Sequence, residues 1–246
     1  MSLIGLYRKY GRLYRENKWI AQVISQIIEA KGVYGTAGFV TWMRDRLEAI
    51  GPKDADGRVT FGTLWSQRNV VLKIVATDVG DCRMETFWWH TYGAMQVAQA
   101  VQASMSIPLF FRPYPQGPNM LVDGGLLSNF PAWVFDAEIA AEQAKTGHKP
   151  PVLGFRLVRE GKRPGSIANF EQYANALFTV ALEGAGFLQT RLIDNLVPIP
   201  IPIPAALSAT DFELTPQHRM DLFESGYAAA DAVLSNPATR GRLNLP

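Results

Sequence analysis

Leu121-Val122-Asp123-Gly124-Gly125-Leu126-Leu127-Ser128-Asn129-Phe130-Pro131 reads as a short apolar strand that stops at an acidic residue, then two glycines and a polar turn. Pro131 has its φ preset for the first turn of a helix. An aspartate at the end of a strand sits at the rim of a sheet. Glycines behind it permit a tight turn and close approach by a neighbouring backbone. Two roles fit Asp123 on these grounds: an Asx-type cap bonded to turn amides, or a carboxylate presented to a site.

Working outward, strand patterns alternate with helical ones. Val70 to Ala76 is a near-continuous apolar, β-branched run, which suits a strand covered on both faces. Gly80-Asp81 predicts a turn, and Cys82 to Trp88 a returning edge strand. Met95 to Ser104 predicts a helix, Met120 to Asp123 a strand, Pro131 to Lys145 a helix and Val152 to Val158 a buried strand. Upstream, the apolar spacing of Val23, Ile24, Ile27 and Ile28 predicts a helix over Lys18 to Lys31, and a second follows from Phe39 to Ile50. The glycines between them, in Gly32 to Gly38, follow a helix and lack a Gly-Lys-Ser/Thr ending, so they are not read as a phosphate loop.

Downstream, Ser166 to Asn195 reads as mostly helical. Val197 to Pro204 carries proline at every second position, which predicts an extended, unpaired connector. Thr215-Pro216 caps and opens a final helix reaching about Ser235. The alternation gives an α/β class with a largely parallel sheet, whose ligand sites lie beyond the carboxyl ends of strands. No linker or repeat divides residues 1–246, so a single domain is expected.

Composition narrows the function. Of 246 residues, 48% are hydrophobic and 19% charged, a globular balance. A net charge of +2 with no basic run argues against nucleic acid as a partner. Cys82 is the only cysteine, which excludes an internal disulfide and fits a reducing compartment. No stretch reaches the roughly 18–20 apolar residues of a spanning helix, and Met1 to Lys18 lacks the apolar core of a signal peptide. The expectation is a cytoplasmic protein whose membrane contact, if any, is peripheral; oligomeric state is not legible. His90, His148 and His218 stand far apart and outside any metal-ligand spacing, so no metal or cofactor is expected. None of the ten serines lies in a G-x-S-x-G nucleophile elbow.

Gln102-Ala-Ser-Met-Ser-Ile-Pro-Leu-Phe-Phe111 followed by Leu121-Val-Asp-Gly-Gly to Pro131 resembles the second half of patatin-like phospholipase domains. Thr60-Phe-Gly-Thr-Leu64, Ile74-Val-Ala-Thr-Asp78 and Thr210-Asp-Phe-Glu-Leu214 are similar to further family segments, so the likeness is strongest over residues 30–235. It implies a three-layer α/β/α fold with a largely parallel central sheet. It also implies lipid or acyl-ester hydrolysis by a Ser-Asp dyad, with no cofactor. By position Asp123 is the dyad's aspartate, and Gly124 and Gly125 are the turn that orients it. The family's glycine-rich oxyanion loop and its G-x-S-x-G elbow precede this region, so the chain is expected to be amino-terminally incomplete, to hold only the aspartate half and to be inactive alone. Two alternatives stand beside that expectation: a non-catalytic protein that binds lipid or a partner, and an esterase using a serine such as Ser104 or Ser106. Asp78, which also ends a strand, is a rival carboxylate.

Overall fold

The computed structural model describes residues 18–159, 176, 180, 195–204, 207 and 214–243. The chain divides into two units, Met1–Leu127 and Ser128–Pro246.

In the first unit, helix α1 (Lys18–Ala30) leads into strand β1 (Gly32–Tyr34) and helix α2 (Ala37–Ile50). Helix α3 (Phe61–Arg68) starts at a reciprocal cap. The Thr60 hydroxyl accepts from the Thr63 amide at 3.1 Å, and the Thr63 hydroxyl accepts from the Thr60 amide at 3.0 Å. Strands β2 (Ile74–Asp78) and β3 (Arg83–Phe87) form the expected hairpin. Helices α4 (Trp89–Tyr92) and α5 (Val97–Ser104) follow, then strands β4 (Leu109–Phe111), β5 (Tyr114–Gln116) and β6 (Asn119–Asp123). Gly117, at φ +58°, makes the tight β5–β6 turn.

The α/β class is as expected, and the pairing is mixed. β1 pairs parallel with β4. The sheet containing Asp123 runs β3-β2-β6-β5 and is antiparallel throughout. The expectation of a largely parallel sheet is therefore corrected here. Two tight hairpins build this sheet, and a hairpin joins only antiparallel strands. The central strand also begins later than its apolar run. Asn69 caps α3 in the left-handed region, leaving the exposed Val70 in the exit from the helix.

Register explains the core. Ala76 and Leu121 lie on the sheet face covered by α5, whose Ala100 and Ala103 allow a close approach, and Phe87 closes the same cluster. Each of Phe87 and Leu121, fully buried, contributes about 1.5–3 kcal/mol.

In the second unit, a 3-10 turn (Ala132–Phe135) runs into helix α6 (Asp136–Thr146), followed by strands β7 (Val152–Arg159) and β8 (Leu196–Ile203) and helices α7 (Pro216–Leu234) and α8 (Pro237–Leu243). Gly154 leaves room for Phe130, whose ring would overlap a Cβ there. Two expectations are corrected. The proline-alternating segment is not an unpaired connector, because β8 pairs in parallel with β7 along its length, from Val152↔Leu196 to Arg159↔Ile203. Successive residues of a strand turn their N–H groups to opposite edges, so Pro198, Pro200 and Pro202 all fall on the edge away from β7, where no donor is needed. The Pro202 carbonyl on that edge accepts from the Ser225 hydroxyl of α7. Second, β7 is not a buried strand: Phe155 is 54% and Leu157 64% exposed. The helix expected over Ser166 to Asn195 lies outside the described residues except at 176, 180 and 195.

Candidate active site

Asp123 is the last residue of β6. Its register partner is Ala76, beside Val122↔Thr77 and Leu121↔Asp78. Its backbone N–H donates to the Ser106 carbonyl at 2.9 Å. The chain then leaves the sheet in a 3-10 turn, Gly124–Leu126. The Asp123 Oδ1 accepts from the Gly125 amide at 2.7 Å, which caps that turn. Oδ2 has no hydrogen bond among the described residues. Burial pushes the carboxyl above its ordinary range, and the Gly125 amide offsets part of that rise.

Gly124 is fixed by space. A Cβ there would stand 2.7 Å from the Val75 carbonyl oxygen and 2.9 Å from a Val75 methyl. Any side chain would push the turn off β2 and swing Asp123 with it. The sequence expectation placed Asp123, Gly124 and Gly125 as one unit, and the three do form one turn.

Asp78 differs. It is 1% exposed, and its oxygens are fully engaged. Oδ1 accepts from the Gly80 and Asp81 amides at 3.0 and 3.2 Å; Oδ2 accepts from Asn119 Nδ2 at 2.8 Å and faces Arg83 at 3.5 Å. Burial alone would raise its carboxyl; the amides, Asn119 and Arg83 together outweigh burial and hold it below the usual range. Asp78 is the cap of the β2–β3 turn, with no oxygen left for chemistry.

Ser106 is wholly buried, and its hydroxyl donates to the Gln102 carbonyl at 2.7 Å, one helical turn back. It touches Asp123 through backbone, not through its Oγ. His90 is exposed and stacks on Trp88 with ring centres 5.3 Å apart. Among the described residues no three His, Cys, Asp or Glu side chains are grouped to hold a metal.

A buried polar group escaped the sequence reading. Glu85 lies in register with Ala76 on the side opposite Asp123, so both acids share one face of the sheet. Its Oε1 accepts from the Tyr92 hydroxyl at 2.8 Å, Oε2 lies 3.1 Å from Arg83, and Gln116 Nε2 donates to the same hydroxyl at 2.8 Å. The bond from edge strand to edge strand runs through Tyr92, which no spacing rule connects with either partner.

The patatin-like phospholipase family matches residues 6–136, more than half of the chain. The protein belongs to the patatin-like phospholipase family. It is 32% identical over 217 residues to the uncharacterized protein YqhO of Bacillus subtilis, a match covering 82% of this chain and 67% of that one. It is 27% identical over 79 residues to the probable lipid hydrolase 463L of Invertebrate iridescent virus 6, covering 32% of this chain and 27% of the viral protein. The chain thus matches about two thirds of the length of one relative and about a quarter of the other. The family match takes in Asp123, Gly124 and Gly125. No described helix is long and apolar enough to cross a membrane.

Proposed function

We propose that Asp123 is the general base of a patatin-like Ser-Asp dyad acting on lipid acyl esters. A serine hydroxyl would give its proton to Asp123 as its oxygen attacks the ester carbonyl. The protonated Asp123 would return the proton to the departing alcohol, then draw one from the water that cleaves the acyl-serine and pass it to the serine oxygen as the acid leaves. A base for this work needs a fixed position, partial burial and an oxygen free to meet the hydroxyl. The carrying observation is that Asp123 has all three: its backbone amide on Ser106, its raised carboxyl, and an Oδ2 without a partner among the described residues. Gly124 and Gly125 are the turn that sets its direction. Family membership also supports a lipid substrate.

None of the ten serines sits in a G-x-S-x-G elbow. The 246 residues therefore supply the base without its usual nucleophile. The test uses a fluorophosphonate probe and acyl-ester turnover. Residues 1–246 alone should neither label nor hydrolyse. Joined to a polypeptide that supplies a G-x-S-x-G serine, the product should label on that serine. In that product Asp123→Asn should lower kcat by at least about 10³-fold. Labelling and turnover by residues 1–246 that Asp123→Asn leaves intact would refute the assignment. Lipid-vesicle binding without turnover in either product would favour a binding protein.

A further inference from the structure

Thr36 is the N-cap residue of α2, yet its side chain makes no bond to the helix amides. Thr, Ser, Asp and Asn are favoured at that position because their side chains accept from the first turn. Here the hydroxyl of Thr36, a 6% exposed residue, accepts instead from Gln102 Nε2 at 2.7 Å, across 66 positions of sequence. The Gln102 carbonyl accepts the Ser106 hydroxyl at 2.7 Å, and the Ser106 carbonyl accepts the Asp123 amide at 2.9 Å. Oδ1 of the same aspartate accepts from Gly125 at 2.7 Å. The links join the start of α2, the last turn of α5 and the end of β6.

We infer that Thr36, Gln102 and Ser106 are positioning residues that fix where β6 delivers the Asp123 carboxylate. This rests on the reading of Asp123 as a base. Three observations carry it. Thr36 forgoes its cap for Gln102. Ser106 is fully buried with its hydroxyl committed, so a small residue at the end of α5 is held in one orientation. Its carbonyl meets Asp123 at the backbone of the residue whose side chain must act. A base must lie within about 2.6–3.2 Å of its hydroxyl, and a shift of about 1 Å there is costly. A chain of short bonds from a neighbouring helix limits such a shift. The same linkage gives the Ala-Ser-Met-Ser-Ile-Pro segment a purpose that supplies no nucleophile.

The test reads geometry in the full chain and requires no ester turnover. Thr36→Val keeps shape and loses the acceptor; Gln102→Met keeps length and loses the donor; Thr36→Ser keeps the hydroxyl. Amide hydrogen exchange should quicken about tenfold at Asp123 and Gly125 in Thr36→Val and Gln102→Met. Thr77 and Leu121, in the ladder itself, should stay within about twofold. The carbon-13 shift of the Asp123 carboxyl should move in both variants, and Thr36→Ser should restore wild-type behaviour. Uniform acceleration across the sheet, no change at Asp123, or a Thr36→Ser variant no better than Thr36→Val would overturn the inference. Failure of the base assignment would appear separately, as turnover insensitive to Asp123→Asn.

Discussion

Asp123 holds a part-buried carboxyl with one amide on it, and those two features set its response to pH. Burial raises its folded-state pKa above the ordinary 3.8, against a smaller lowering by Gly125. Between 3.8 and that raised value the folded chain binds more protons than the unfolded one. Stability contributed by this group is complete below 3.8 and is lost as pH rises through the folded pKa. Asn at this position stays neutral and can still accept from Gly125. Asp123→Asn should therefore melt higher than wild type at pH 7, with the difference vanishing near pH 3. Thermal melts of both proteins at the two pH values decide it, and a difference that persists at low pH would point to packing instead. Asp78 has the opposite sign: its lowered pKa gives stability above its unfolded value that fades as acid protonates it. That loss is common to both proteins and cancels in the comparison. Two carboxylates at strand ends thus divide into a cap with every oxygen used and a candidate base with one oxygen unbonded among the described residues.

At the scale of elements, β8 makes the sharpest claim. Its three prolines share the outer edge, so the inner N–H groups of Val197, Ile199 and Ile201 carry the pairing to β7. Ile201→Pro should cost about 1–3 kcal/mol by removing a ladder bond and leaving its acceptor unpaired, while Pro200→Val, on the edge away from β7, should stay within about 1 kcal/mol. Urea denaturation of the two variants separates them. The same strand shows what sequence left hidden. Proline at every second position was legible as a bar to central pairing. Which edge it barred required a partner strand 44 residues away, as in Val152↔Leu196. Helices were easier. Thr215-Pro216 and the apolar spacing before Ala30 are local signals, and α1, α2, α5 and α7 lie close to where the sequence patterns put them. Asp123 and its glycines were legible because one turn contains them all. The Thr36–Gln102–Ser106 linkage was not, since its Gln102–Thr36 bond spans 66 residues and leaves no spacing to read.

For the molecule as a whole, the alternating pattern was enough for the α/β class, but strand direction depends on neighbours that no window shows. Exposure is the part with a consequence in solution. On α7, Met220, Phe223 and Tyr227 recur at helical spacing and are 54%, 67% and 69% exposed. On β7, Leu153, Phe155 and Leu157 recur at strand spacing and are also exposed. Single exposed apolar residues are ordinary, but two periodic stripes in one unit are not. They cost free energy in water that self-association or a hydrophobic dye would recover. The isolated chain should enhance the fluorescence of anilinonaphthalene sulfonate. Its sedimentation coefficient should rise with concentration across the micromolar range. Phe223→Gln with Tyr227→Gln should reduce both signals and leave the melting temperature nearly unchanged, because neither side chain is buried. A concentration-independent monomer with no dye signal would show that the stripes are already covered, and would remove the expectation of association.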